Sequence, residues 1–426
     1  MHNYQMRKTG GDALERILII MAVTVVAVAL AIGISLIPVP YVIQSPGPTI
    51  DVLGSQGDTV VLELSQSGEG EALAIREVEE TDGQLRMVTV SEQGGPGTTV
   101  RVGNVVRAFF NPSMTIQRFS DLYDSEVTAD DIQQVSAAQM QSSHSAASIA
   151  AMEYLGVPMD TTMTVVGTVP GSGSEGVLEE GDVLVSLETP DGIVHPVSSP
   201  SVPFTVMKEV PPHSTVTIAV VRDGHEQAME VVTMSPDQEE DLESREEDEE
   251  GEGEGLENEK EDDEETTGGN NAGKDNEKNE EEETENPQGS LLGVFLSADT
   301  DLPLNISIHL ERVGGPSAGL IFALGIVDRL TEGGITGGEV IAGTGALDFA
   351  GNVIPIGGVK QKMYGAVRDG AEWFLVPEAN CPGVVGNEPE GLDVIPVATL
   401  AEAVGIVEDI AAGDTTDLPS CGGLNP

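Results

Sequence analysis

Gly314-Gly315-Pro316-Ser317-Ala318-Gly319 is the stretch on which the reading of the fold turns. Ahead of it, Leu304-Asn305-Ile306-Ser307-Ile308-His309-Leu310 alternates like a strand. Behind it, Leu320 to Val327 is a continuous apolar run that reads as a buried helix. A strand-to-helix junction leaves backbone N–H groups unpaired at the helix start. A serine placed there has two readings. It caps the helix, as serine commonly does. Or it is a nucleophile beside ready oxyanion donors, with the N–H groups near Gly315 and Ser317 as candidates. The small residues around it let a second backbone, such as a peptide substrate, approach closely.

A second junction lies further on, in Ile356-Gly357-Gly358-Val359-Lys360-Gln361-Lys362. Glycines end a strand, and the helix that follows carries two lysines in its first turn. Cations are disfavoured at that positive end of the helix dipole. Positions 360 and 362 point about 200° apart on a helix, so only one of them can face a given neighbour.

The 426 residues suffice for two domains with sizeable cores. A net charge of −54 argues against nucleic acid as a partner, because phosphates would be repelled. Residues 237–287 hold 26 acidic and 4 basic residues, a net of −22, which leaves −32 for the rest of the chain. Such an excess outside the acidic segment suits a salty or cell-surface environment. The two cysteines, Cys381 and Cys421, lack zinc-site spacing; a disulfide between them and two separate thiols are both open. No HExxH or GxxxxGK[ST] pattern occurs, so neither a metal, a cofactor nor ATP is expected.

From the N-terminus, residues 1–16 form a cytoplasmic start, and 17–37 is an uncharged apolar run long enough to span a bilayer. Arg7, Lys8 and Arg16 precede that run, which puts the N-terminus in the cytoplasm and everything after Pro38 outside. Ser35-Leu36-Ile37-Pro38 offers no small-x-small cleavage site, so the run reads as an uncleaved anchor of a single-pass membrane protein and not a signal peptide. Residues 41–158 hold strands at Thr59–Leu64, Leu85–Val90 and Thr99–Ala108, then a helix from Thr128 to Leu155. Residues 162–234 read as a compact β-rich module, with strands at Val165–Val169 and Thr215–Gly224, the latter ending in a hairpin turn, and a turn feeding a strand at Gly176–Val185. Residues 237–287 are low-complexity and acidic, with too little apolar surface to fold, and are expected to be a disordered linker. Structure returns in 289–412, where strands alternate with helices, and 413–426 is a tail.

The run Gly176-Val177-Leu178-Glu179-Glu180-Gly181-Asp182-Val183-Leu184 resembles PDZ domains of the kind attached to exported bacterial proteases, which bind extended peptides at a sheet edge. The Gly-Gly-Pro-Ser-Ala-Gly turn, the strand Gly343-Thr344-Gly345 and the Ile-Gly-Gly-x-Lys-x-Lys junction, in this order, resemble the proteolytic domain of Lon proteases. With the anchor and the PDZ-like segment, the whole resembles the membrane-anchored PDZ–Lon-like serine proteases of bacteria. That resemblance implies an α+β architecture of one transmembrane helix, a Lon-type α/β proteolytic domain, a PDZ domain and an acidic linker. It implies a catalytic dyad of Ser317 and Lys362, a supporting Thr344 bonded to the lysine, and Lys360 as a solvated neighbour. Ile356, Val359 and Met363 around Lys362 would depress its pKa, the condition for a lysine to act as base.

Two departures stand out. The aspartate that Lon enzymes usually carry three residues before the serine is Gly314 here, and nothing matches their ATPase module. The expected activity is therefore ATP-independent endopeptidase cleavage of unfolded or membrane-associated envelope proteins, extracytoplasmic, with the PDZ domain positioning substrates and an oligomer open. The rival is a catalytically inactive PDZ scaffold of the cell envelope. The segment after the linker is short for a complete Lon-type domain. Met140 to Val157 resembles its missing helix, and Leu85–Val90 could supply a sheet edge, so the PDZ module is expected to be inserted within the protease domain.

Overall fold

The computed structural model describes residues 2–67, 73–78, 83–123, 127–236, 289–310 and 313–423, and the expected acidic linker at 237–287 lies outside them. The chain divides into two compact units, one of Met1–Pro158 with Leu302–Pro426 and one of Met159–Asp301. The first unit is thus discontinuous in sequence.

It begins with helix α1, His2–Ser35. Leu18–Ser35 is long and apolar enough to cross a membrane, and none of that window is buried in the protein. Strands β1 (Pro38–Val39) and β2 (Tyr41–Asp51) follow, then a small hairpin of β3 (Ser55–Gln56) and β4 (Thr59–Val60), β5 (Leu62–Gln66), β6 (Gln84–Gln93) and β7 (Val100–Arg101). Thr99–Ala108, expected as one strand, is strand for two residues only. Val102–Phe109 is instead helix α2, which packs Val105 and Ala108 onto Ile43 and Val100. After β8 (Thr115–Arg118), helix α3 runs over Ala129–Tyr154. Its start is fixed by a capping box between Thr128 and Asp131.

Among the described residues, the second unit is an antiparallel sheet with one helix. Its elements are β9 (Asp160–Thr168), β10 (Val183–Glu188), β11 (Val194–Pro196), α4 (Val202–Glu209), β12 (Thr215–Arg222), β13 (His225–Val232) and β14 (Val294–Asp301). The order is β13-β12-β10-β9-β14, with β11 on β10. β14 was expected to open the following domain at 289. Instead it pairs with β9 from Val294↔Thr168 to Asp301↔Asp160, so the boundary falls at Leu302. Arg222 donates to both carboxylate oxygens of Asp182, to Glu179 and to the Val177 carbonyl. This clamp closes the Gly181-Asp182 turn and holds the Asp182 carboxyl below its ordinary pKa.

The chain then returns to the first unit with β15 (Leu304–Ile308), antiparallel to β5, and helix α5 (Gly319–Leu330). Strands β16 (Val340–Gly343), β17 (Ala346–Leu347) and β18 (Val353–Ile354) lead to α6 (Val359–Arg368), β19 (Trp373–Pro377), a turn of helix α7 (Cys381–Val384), β20 (Asp393–Val397) and α8 (Leu400–Ala412). Among the described residues the main sheet has six strands, ordered β20-β19-β16-β6-β2-β8. β6, expected at an edge, is central: it lies parallel to β16 and antiparallel to β2. The N-terminal and C-terminal segments therefore share one sheet. α5 explains its uniform apolarity, since every residue from Gly319 to Asp328 is buried. Each such Leu, Ile or Phe contributes roughly 1.5–3 kcal/mol by leaving water. The tail is tied back by a Cys381–Cys421 disulfide.

Candidate active site

The loop from β15 to α5 must pass close to other backbone, and its glycines are where it does. A Cβ on Gly314 would stand 2.7 Å from Ser136 Cβ, and one on Gly319 would stand 3.0 Å from Ser143 Oγ and 3.2 Å from the Leu347 nitrogen. Gly315 has a φ of +89°, which an L side chain resists. The loop is fastened on two sides. On the α3 side, Gly315 N–H donates to the Ser136 carbonyl at 3.0 Å, and Ser143 Oγ donates to the Pro316 carbonyl at 3.0 Å. On the other, the Ser317 carbonyl accepts from Gly345 N–H and from Thr344 Oγ1, each at 2.9 Å.

This corrects the expected role of Gly315. Its N–H is already committed to α3, so it does not offer an oxyanion donor in this conformation. The N–H of Ser317 makes no hydrogen bond among the described residues. Nothing in the local sequence signalled the use of Ser136 and Ser143, because their partners lie far along the chain. The trace that could have found Ser143 is the run Ser142-Ser143-His144-Ser145-Ala146-Ala147, small enough for another backbone to pack against.

Lys362 stands on α6, whose first residue follows Gly358 in a left-handed conformation with φ +69°. Only 4% of it is exposed. Its Nζ donates to Thr344 Oγ1 at 3.1 Å, and Thr344 is itself fully buried. Burial without a paired carboxylate destabilises the ammonium, bringing the pKa down from 10.5 to about 7. Lys360, two residues earlier, is half-exposed. Its side chain cannot share the buried direction.

Ser317 and Lys362 line one cleft of about 940 Å³, together with Thr49, Met87, Met140 and Ile356. Its lining includes no histidine. His144, on α3, turns its ring edge-on to Phe322 at 5.1 Å, and His309 bonds Glu63 at 3.1 Å. The cleft thus combines a half-buried serine hydroxyl, a buried amine of lowered basicity and an unengaged backbone N–H. Those are the parts that acyl transfer requires.

Residues 305–407 match the family model of the Lon protease (S16) C-terminal proteolytic domain. The chain carries a Lon-family proteolytic domain. Over 110 residues it is 37% identical to the archaeal Lon protease of Methanocaldococcus jannaschii, a match covering 26% of this chain and 16% of that protein. Over 107 residues it is 38% identical to the Lon protease of Rhizobium meliloti, covering 24% and 13% respectively. The Lon protease of Azorhizobium caulinodans is 39% identical over 107 residues, covering 24% of this chain and 12% of its own length. The matching part spans no more than 16% of the length of these relatives. The Lon-family match begins inside β15 and ends inside α8, so α3 and strands β2, β6 and β8 lie outside it while sharing its core.

Proposed function

We propose that the chain is a serine endopeptidase with Ser317 as nucleophile and Lys362 as general base. The observation that carries this reading is Lys362 itself: a buried lysine, brought to a pKa of about 7, in the same cleft as a serine on a glycine-rich turn. Thr344 spends its hydroxyl hydrogen on the Ser317 carbonyl and accepts from Nζ. The amine lone pair is then left for the Ser317 hydroxyl. Lys362 takes the hydroxyl proton as Oγ attacks the substrate carbonyl, and the Ser317 N–H donates to the oxyanion that forms. The lysine ammonium returns its proton to the leaving amine, and water then hydrolyses the acyl ester by the same route.

We read α1 as a bilayer anchor, N-terminus cytoplasmic, with both compact units outside. The second unit is proposed to be PDZ-like and to present extended segments of unfolded or membrane-associated proteins. Proteolysis is proposed to be independent of ATP, consistent with the lack of a GxxxxGK[ST] loop in these residues.

The test is cleavage of casein and of a quenched peptide by the full chain in detergent, beside Ser317→Ala, Lys362→Ala and Lys360→Ala. The first two are expected to lose on the order of 10³-fold or more, with Lys360→Ala near wild type. Loss in Lys360→Ala alone would reassign the base. A wild type that binds peptides yet cleaves none would return the chain to the scaffold class.

A further inference from the structure

Helix α2 is apolar on two faces. Val105 and Ala108 pack inward with Ile43, Val100, Met114 and Ile116. An ordinary surface helix would be polar on the other side. Here Val106, Phe109 and Phe110 stand 51%, 76% and 79% exposed, the two rings edge-to-face at 5.3 Å. Among the described residues nothing covers them.

Position and charge identify what does. α2 starts where the apolar helix ends: Val102 N–H donates to the Ile37 carbonyl at 3.0 Å, and β7 pairs with β1. A Cβ on Gly103 would lie 3.2 Å from Ser35 Cβ, so α2 and the end of α1 are in direct contact. The surrounding charge is inverted relative to the chain. Among 73 acidic and 19 basic residues overall, the segment from Gln93 to Ser120 has three arginines, Arg101, Arg107 and Arg118, and no carboxylate. All three are exposed. Exposed aromatics in a segment whose charges are all arginine, beside the end of an apolar helix, match the chemistry of the bilayer interface.

We propose that α2 with Phe109 and Phe110 is an interfacial lipid-binding element, with Val106 and the two rings among the acyl chains of an anionic bilayer and the three arginines at its phosphates. The proposal rests on the reading of α1 as a membrane span. It has a consequence for the cleft. β8 follows α2 directly, its Thr115 accepts from Gln361 at 2.8 Å, and Thr115 pairs with Gln44, which lines the cleft. A membrane-seated α2 would hold the cleft near the lipid surface, within reach of membrane-tethered substrates.

The experiment uses the full chain in nanodiscs of phosphatidylglycerol and phosphatidylcholine with brominated acyl chains. The sole native tryptophan, Trp373 in β19, gives the background. Phe109→Trp is expected to lose about half of its added emission on bromination, as a ring seated at the acyl boundary should. Replacing Arg101, Arg107 and Arg118 by Gln in that variant should abolish the excess quenching on anionic over neutral lipid. Val23→Trp, within α1, reads the span separately. Quenching of Val23→Trp with none at Phe109→Trp would overturn the proposal and leave the span intact. Absence of quenching in both would remove the span reading and the proposal with it. Emission from Phe109→Trp that responds to protein concentration and not to bromine would mean that a second copy covers the patch, again overturning it.

Discussion

At the residue scale the decisive feature is a cation placed where it is least stable. Lys362 is buried on the first turns of a helix with a threonine hydroxyl as its hydrogen-bond partner. Its neutral form is the base, so kcat/KM should rise with pH through a single limb with a midpoint near the free-enzyme pKa of about 7. A flat profile from pH 5 to 9 would sink the assignment. The same shift has a cost in stability. Between the folded pKa of about 7 and the ordinary value of 10.5, the unfolded chain holds a proton that the folded chain does not. Stability therefore rises with pH across that window, and below it the burial cost is present in full. Lys362→Met should be inactive yet more stable than wild type at pH 7, by ~1–3 kcal/mol after allowing for the lost bond to Thr344. Urea unfolding should show that margin shrinking towards pH 10. A variant less stable at pH 7 would mean that the lysine carries no such burden. The glycine-rich turn that carries Ser317 and the helix start that carries Lys362 were legible as local structure, because short motifs encode them. The engagement of Gly315 with Ser136 was not, because a hydrogen bond between distant segments leaves no periodicity to read.

At the element scale, α3 is the support against which the nucleophile loop is held. Among the described residues its hold is two hydrogen bonds, and one of them comes from a side chain: Ser143 Oγ to the Pro316 carbonyl, with Ser143 only 4% exposed. Ser143→Ala removes a hydroxyl without creating a large void, so the loss of stability should be about 0.5–1.5 kcal/mol. The effect on turnover should be larger in proportion, about 10-fold or more in kcat with KM little changed, since the serine is displaced and the cleft is not. A variant with unaltered kcat would show that the Gly315–Ser136 bond alone fixes the loop. The helical identity of α3 was readable from its apolar spacing and its Thr128 start, and so were α5, α6 and the Thr399-capped α8. α2 was misread because eight residues rich in valine satisfy a strand pattern almost as well as a helical one. Its packing onto Ile43 and Val100 decides between them, and packing is tertiary information.

At the scale of the molecule, the sequence order misleads about what folds with what. The main sheet interleaves β2, β6 and β8 from the first segment with β16, β19 and β20 from the last, so residues 289–426 alone would lack half of it. The order β16-β6-β2 could not be read from alternation patterns, which give the faces of a strand but not its neighbours. The intervening unit is entered and left at one place. Asp160 is directly opposite Asp301 in the β9–β14 pair, so the two chain ends that join it to the first unit are only about 5 Å apart. Excising Met159–Asp301 and bridging Pro158 to Leu302 with a few Gly and Ser residues should therefore cost the first unit little beyond a short loop closure. The excised chain is expected to fold and to retain cleavage of a short quenched peptide within about 3-fold, because every group placed at the cleft belongs to the first unit. Its rate on casein should fall by about 10-fold or more if the second unit captures extended segments, through loss of local substrate concentration. An excised chain that folds and cleaves casein at the wild-type rate would leave that unit without a role in capture. One that folds but fails on the short peptide would mean that the second unit is needed to complete the cleft, and the division of labour between the two units would have to be redrawn.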